Sequence, residues 1–294
     1  MSAALLLLPD FLLIAGGALL RRTRGFDDAF WRGVERLVYF VLFPALLFRS
    51  LATSPLAPSD AVRLVGVGVG FTVAGMLLSA LARPLFRLPA PTFAACFQCG
   101  FRFNTYVALA VAGRLGGEQG LAAISVLVGV LVPLVNVAAV GVLARGRVGV
   151  QLTRNPLVIA CVAGIAWKLA GVPLPGLVAR VLELLASAAL PLGLLAVGAG
   201  LKVSRGTLPW PALAWWHGVK LVAMPAVALL LANAAGLSML ERQVAVTMAA
   251  VPTATSAYIL ATQMNGVGAP VALLISSGTL LAAVTLPLWI SVVA

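Results

Sequence analysis

Two short stretches place polar side chains inside long apolar runs. "FRFNTYVAL" (101–109) brings Arg102, Asn104 and Thr105 together, and "VPTATSA" (251–257) sets Thr253, Thr255 and Ser256 around Pro252. A charged side chain at the centre of a bilayer costs ~2.5–3.5 kcal/mol even on the mildest scale, so Arg102 calls for a partner or a role. A guanidinium only donates, whereas an amide or a hydroxyl can also accept. Together these groups suit an anion. A proline inside a helix removes a donor and clashes with an earlier carbonyl, so Pro252 predicts a break, and Gly100 predicts a second one beside Asn104. The N–H groups at the start of a half-helix carry about +0.5 charge and attract anions. Two such starts meeting in mid-membrane would bind an anion without a metal. Blander roles stand beside this one: Asn104 as a helix-to-helix bond, Arg102 as the partner of a carbonyl, the hydroxyls bonded back to the preceding turn.

Other residues with chemistry read as structural. Cys96, Cys99 and Cys161 lie in apolar runs and behave as small buried hydrophobes. His217 and Lys220 share a helix face, and packing or snorkelling is the reading for Lys220. Asn136 suits a bond between helices or a cavity wall. Asp10 and Glu183 sit about a third of the way into their runs, and no Asp or Glu falls at the centre of either polar stretch. Ion coupling commonly recruits such carboxylates. There is no P-loop, no zinc-protease helix and no nucleophile elbow. A single histidine excludes a two-histidine metal site. The sequence therefore implies no enzyme, no cofactor and no metal.

The elements that must hold these residues are membrane helices. Of 294 residues, 62% are hydrophobic and 10% are charged, with a mean hydropathy of +1.10. Soluble domains average about 45–50% apolar and about 25% charged. Ten apolar runs approach the ~20 residues a spanning helix needs: roughly 3–20, 34–53, 62–82, 92–113, 120–144, 155–172, 177–201, 210–235, 241–263 and 269–293. The fold class is an all-α polytopic membrane protein. A net charge of +12 belongs to topology-setting loops rather than to nucleic acid, since there is no basic soluble domain to bind it. No Lys or Arg precedes Arg21, so the first run is read as a retained span and not as a signal peptide. With the N-terminus outside, the inner loops hold Arg21, Arg22, Arg24, Arg32, Arg36, Arg83, Arg87, Arg145, Arg147, Arg154, Lys202 and Arg205, twelve in all. The outer flanks hold six: Arg49, Arg63, Arg114, Lys168, Arg180 and Arg242. This bias puts both termini outside.

The chain also repeats. Pro9 and Pro44 recur as Pro156 and Pro191 at an offset of 147, and the same offset carries Asn104 to Val251, beside Pro252. Five spans per half reverse the second half's direction, giving an inverted repeat of the kind found in secondary transporters. Residues 1–144 form the first repeat, 145–154 a cytoplasmic linker and 155–294 the second. Pro44 and Pro191 are expected to kink scaffold helices, and Gly66, Gly68, Gly70 and Gly75 to form a small-residue packing face.

"FPALLF" (43–48), "FRFNTYVALAVAGRLGGEQGL" (101–121), "VPLVNV" (132–137), "NPLVIACVAGI" (155–165), "LPLGLLAVGAGL" (190–201), "VPTATSAYILA" (251–261) and "SSGTLLAAVTLPLWI" (276–290) carry, in this order, a family resemblance. The chain resembles the auxin efflux carrier family, the PIN-like carriers whose bacterial members include malonate and other organic-anion permeases. The resemblance implies ten spans in two inverted five-helix repeats, similar to the bile-acid sodium symporter fold. It implies crossed broken helices at spans 4 and 9, with substrate beside the crossover. It matches Asn104 to the family's span-4 asparagine and Pro252 to its span-9 proline. It further implies a homodimer in a bacterial inner membrane and an elevator-like motion. Two departures stand out: "NTYVALA" lacks the proline many relatives carry after that asparagine, and Ser256 stands where many have asparagine. The leading function is a secondary transporter of small organic anions. The alternatives are a sodium- or proton-coupled symporter of the bile-acid type and a non-transporting membrane receptor.

Overall fold

The computed structural model describes residues 3–144, 155–201, 208–263 and 267–294; all secondary structure among them is helical. The predicted linker 145–154, with Arg145, Arg147 and Arg154, lies outside the described residues, as do Lys202 and Arg205.

Helix α1 is Ala3–Leu20. α2 runs without interruption through Asp28–Leu37, a wide π turn Val38–Leu42, and Phe43–Ala52. α3 is Pro58–Ala80 and α4 is Ala90–Phe97, which tightens into a 3₁₀ turn at Gln98–Gly100. The long segment Thr105–Ala144 is two helices, α5 (105–115) and α6 (118–144), parted at Gly116 and Gly117. Gly117 has φ +52° and ψ −133°, a conformation that glycine alone adopts cheaply. α7 is Pro156–Ala170 and α8 is Gly176–Gly200. α9 spans Trp210–Ala234 with a π turn at Val219–Ala223. α10 is Met239–Ala250, α11 is Ser256–Gln263 and α12 is Gly268–Val292. These helices follow the ten apolar runs closely.

Five segments are long and apolar enough to cross a membrane: Pro58–Phe86, Ala90–Leu143, Gly176–Gly200, Trp210–Ala234 and Gly268–Val292. The remaining runs are merged, short or broken as helices. Ala90–Leu143 contains two of them. Leu5–Leu20 and Pro156–Ala170 are shorter apolar helices. α2 opens on the polar sequence DAFWRGVERL. The ninth run is split into α10 and α11. Large apolar side chains face outward around the molecule, Leu177 81% and Leu169 76% exposed among them, as lipid-facing residues do.

Small residues set the packing. Gly17 of α1 lies on the backbone of Leu195 in α8, where a Cβ would come within 2.9 Å of the Leu195 Cα. Gly198 meets the same helix in return, its Cβ position 3.0 Å from the Ala18 nitrogen. Gly164 of α7 faces the Phe48 carbonyl of α2. On α3, Gly68, Gly70 and Gly75 receive Leu127, Leu231 and Met224 against their bare Cα atoms, as the small-residue face predicted, while Gly66 has open space.

The two π turns precede prolines. Pro44 and Pro225 cannot donate to the carbonyl four residues back, and the widened turn supplies a five-residue bond instead: Phe43 N–H to Val38 O, and Met224 N–H to Val219 O. Pro44 is thus accommodated in α2 by a π turn. Pro191 lies inside α8, which continues as a regular helix around it. The matching π turn is at Pro225, a position that the proline offset did not mark.

Candidate functional site

The site grows from two breaks. At the first, the 3₁₀ turn closes with Phe101 and Arg102 N–H groups both donating to Gln98 O, at 3.3 and 2.9 Å. The chain then leaves the helix until Thr105. Gly100 does not use left-handed freedom here. It makes room: a Cβ would lie 2.6 Å from Ser79 Oγ and 3.3 Å from Trp216. At the second break, Val251 is extended, as the residue before a proline prefers, and helix resumes at Ser256.

The breaks are stitched to each other. Asn104 N–H donates to Pro252 O at 2.8 Å, a backbone bond between the two segments. Thr253 Oγ1 donates to Cys99 O at 2.7 Å. Gln98 Nε2 donates to Ala257 O at 3.1 Å. Asn104 N–H, Pro252 O and Cys99 O thus find partners across the crossing, as an apolar surrounding favours.

Each predicted site residue has a definite place. Asn104 is 3% exposed and caps α5: its Oδ1 accepts from Tyr106 N–H at 3.1 Å and Val107 N–H at 3.3 Å. This differs from the expectation of open N–H groups at the half-helix start, because the asparagine consumes two of them. With its oxygen committed, Asn104 is left with its amide nitrogen as a donor. Arg102 is 4% exposed and reaches across to the second break, where Nη1 donates to Ser256 Oγ at 3.0 Å. Its Nη2 donates to Asn136 Oδ1 on α6, and its Nε has no partner. None of the ion pairs among the described residues includes Arg102.

A cavity of about 570 Å³ adjoins this cluster, lined by Arg102, Tyr106, Asn136, Asn155, Thr255 and Ser256 together with Tyr39, Phe40, Glu35 and Arg36. A smaller one of about 150 Å³ continues it inward to Asn104, Thr105 and Ala254. Thus Arg102, Asn104, Thr105, Thr255 and Ser256 meet around one space. Pro252 and Thr253 line neither cavity, and Thr253 spends its hydroxyl on Cys99 O. Gly100 lies behind the crossing. Pro44 lines neither cavity; Pro191 lines a separate cavity at Arg114 and Asp10.

The sequence did not single out the opposite wall. Tyr39 and Phe40 come from the π turn of α2, and Tyr106 packs on Phe43 with ring centroids 4.6 Å apart. Asn155 caps α7, its Oδ1 accepting from Leu157 N–H at 3.0 Å. The Asn-Pro pair at 155–156 is a helix-start signal that could have located it. Asn136 lines the space, as one of its two readings had it, and its bond goes to Arg102 in the non-helical break rather than to another helix. Cys96, Cys99 and Cys161 are buried and free, as read. Among the described residues, no group of three or more His, Cys, Asp or Glu is placed to hold a metal ion.

One buried guanidinium, held by neutral groups and facing a space lined by polar, aliphatic and three aromatic side chains, can neutralise one carboxylate and receive what is attached to it. A buried cation without a counter-charge is costly, and an arriving anion relieves that cost. A family model described as a membrane transport protein matches residues 141–290, just over half of the chain. No curated protein matches it.

Proposed function

We propose, from the premise that this chain belongs to the membrane transport protein family, that it is a secondary transporter of small organic anions. That membership agrees with the resemblance to auxin efflux carriers. The carrying observation is Arg102: buried, paired with no carboxylate among the described residues, and aimed into a cavity beside two stitched helix breaks. The substrate's carboxylate sits against the guanidinium and the Asn104 amide, with Thr105, Thr255 and Ser256 as further donors. Tyr39, Phe40 and Tyr106 receive the remainder of the molecule. Malonate-like and auxin-like acids both fall in this class.

The ten-span, two-repeat architecture is part of this reading. Its support is that the closely packed pairs α1–α8 and α2–α7 exchange under the half-chain offset. The polar ligands Arg102, Asn104, Asn136, Thr255 and Ser256 belong to one group of helices, whereas Tyr39 and Asn155 belong to α2 and α7. A substrate held at such a seam suits an elevator, in which one group carries it past the other. In the bacterial inner membrane, with both termini outside, the cavity mouth at Glu35 and Arg36 faces the cytoplasm. A homodimer would keep the α1, α2, α7 and α8 group fixed.

Flux of labelled mono- and dicarboxylates in proteoliposomes tests this. Wild type is expected to move at least one of them, and Arg102→Gln to lose most of that flux. Equal flux by the variant would remove the site assignment.

A further inference from the structure

The site described above makes no use of Lys220, although it is one of the least exposed charged residues among those described, 2% exposed. It stands in the π turn of α9, and its ammonium donates to Ala249 O at 2.6 Å. That carbonyl belongs to the last turn of α10, immediately before the second break. In a continuous helix it would accept from residue 253, but the chain has already left the helix at Val251. The carbonyl before it, Met248 O, would look to Pro252, which has no N–H. The end of α10 is therefore a mid-bundle helix C-terminus with orphan carbonyls and about −0.5 charge. None of the ion pairs among the described residues includes Lys220.

The neighbouring geometry fixes the ammonium there. Pro225 leaves Leu221 O without a helical donor, and the Trp289 indole of α12 donates to it at 2.8 Å. Met224 N–H reaches back to Val219 O. The turn carrying Lys220 is thus pinned on both sides. His217, on the preceding turn, is engaged with Ser277 Oγ at 2.9 Å.

In ion-coupled carriers, half-helix C-termini and unwound carbonyls at a mid-membrane break coordinate the coupling cation. We propose that Lys220 is a built-in substitute for such a cation: its ammonium occupies the carbonyl end of α10, so the second break is held without an external ion. Lys220 acts as a positioning residue for the crossing, and sodium has no place to bind at the end of α10.

The test is thermal unfolding of the full chain in detergent micelles, in sodium chloride and in choline chloride at equal ionic strength. Wild type is expected to melt at one temperature in both. Lys220→Ser, which vacates the position, is expected to melt several degrees lower in choline and to recover most of that shift in sodium. Lys220→Gln, closer to lysine in length, is measured beside it and carries the test if the serine variant does not fold. Sodium-specific stabilisation of wild type overturns the proposal. So does a variant loss that is the same in both salts, since Lys220 would then be a structural cap alone, and so does wild-type melting by both variants. No substrate enters this measurement, so its failure leaves the anion site standing, and failed flux leaves Lys220 standing.

Discussion

The two helix breaks solve the same problem with opposite placements of charge. At the first, the carbonyls that end α4 are met by neutral hydroxyls, Ser79 on Phe97 O at 2.6 Å and Thr253 on Cys99 O at 2.7 Å. Its cation, Arg102, turns away from the backbone and into the cavity. At the second, the cation is on the backbone, Lys220 on Ala249 O, and only Thr255, Ser256 and Ala254 reach the cavities. One break turns its charge toward the cavity and the other toward its own backbone. Under the proposed function the two breaks divide the work: Arg102 of the first supplies the charge that meets the anion, while the backbone of the second is held by Lys220.

The comparison breaks most visibly at Arg102. Arg102→Gln is expected to weaken anion binding about 10–100-fold, the equivalent of a charge-assisted hydrogen bond worth ~1.5–3 kcal/mol. Its melting temperature is expected to hold or rise, because an uncompensated buried charge is gone. Calorimetric titration beside a melting scan reads both, and a large fall in stability would mean that Arg102 is structural. Asn104→Asp is the next effect. Aspartate caps a helix as well as asparagine does, so α5 should persist, while a carboxylate replaces the free amide donor. Binding is expected to fall about tenfold, roughly 1.4 kcal/mol, with stability unchanged. Thr253→Val should do the reverse, costing about 1 kcal/mol of stability by stranding Cys99 O and leaving binding affinity near wild type. Thr255→Val is the smallest, about twofold in affinity. The Thr255 hydroxyl lines both cavities and has no hydrogen bond among the described residues, so its loss strands nothing.

The breaks were legible because their causes are local. Pro252 cannot donate, and Asn104 sits where a helix restarts; both facts are written in residue types. The offset of 147 then paired them. What was not legible depends on distant partners. Thr253 looked like a ligand, but the Cys99 carbonyl lies 154 positions away and claims its hydroxyl. Asp10 showed in sequence only as a carboxylate about a third of the way into an apolar run, and Arg114, which grips it at 2.7 and 2.8 Å, lies 104 positions away. Lys220 read as a packing or snorkelling residue because nothing nearby in sequence shows that α10 ends beside it. Tyr39 and Phe40 were hidden in an ordinary apolar stretch; only the π turn ahead of Pro44 turns them to the cavity. Length and apolarity of continuous helices mark five segments, because a broken helix such as α10–α11 is short in each of its parts.

The bond from Asn104 N–H to Pro252 O joins two peptide groups and uses no side chain. Any residue except proline at 104 keeps it, and any residue at all at 252. This one bond of the crossing is thus insulated from substitution, unlike the Thr253 and Gln98 bonds beside it. Under the proposed function, relatives could trade one cargo for another at the positions that match Arg102, Thr255 or Ser256 while this backbone bond stays in place. Such a design favours divergence of specificity over divergence of form.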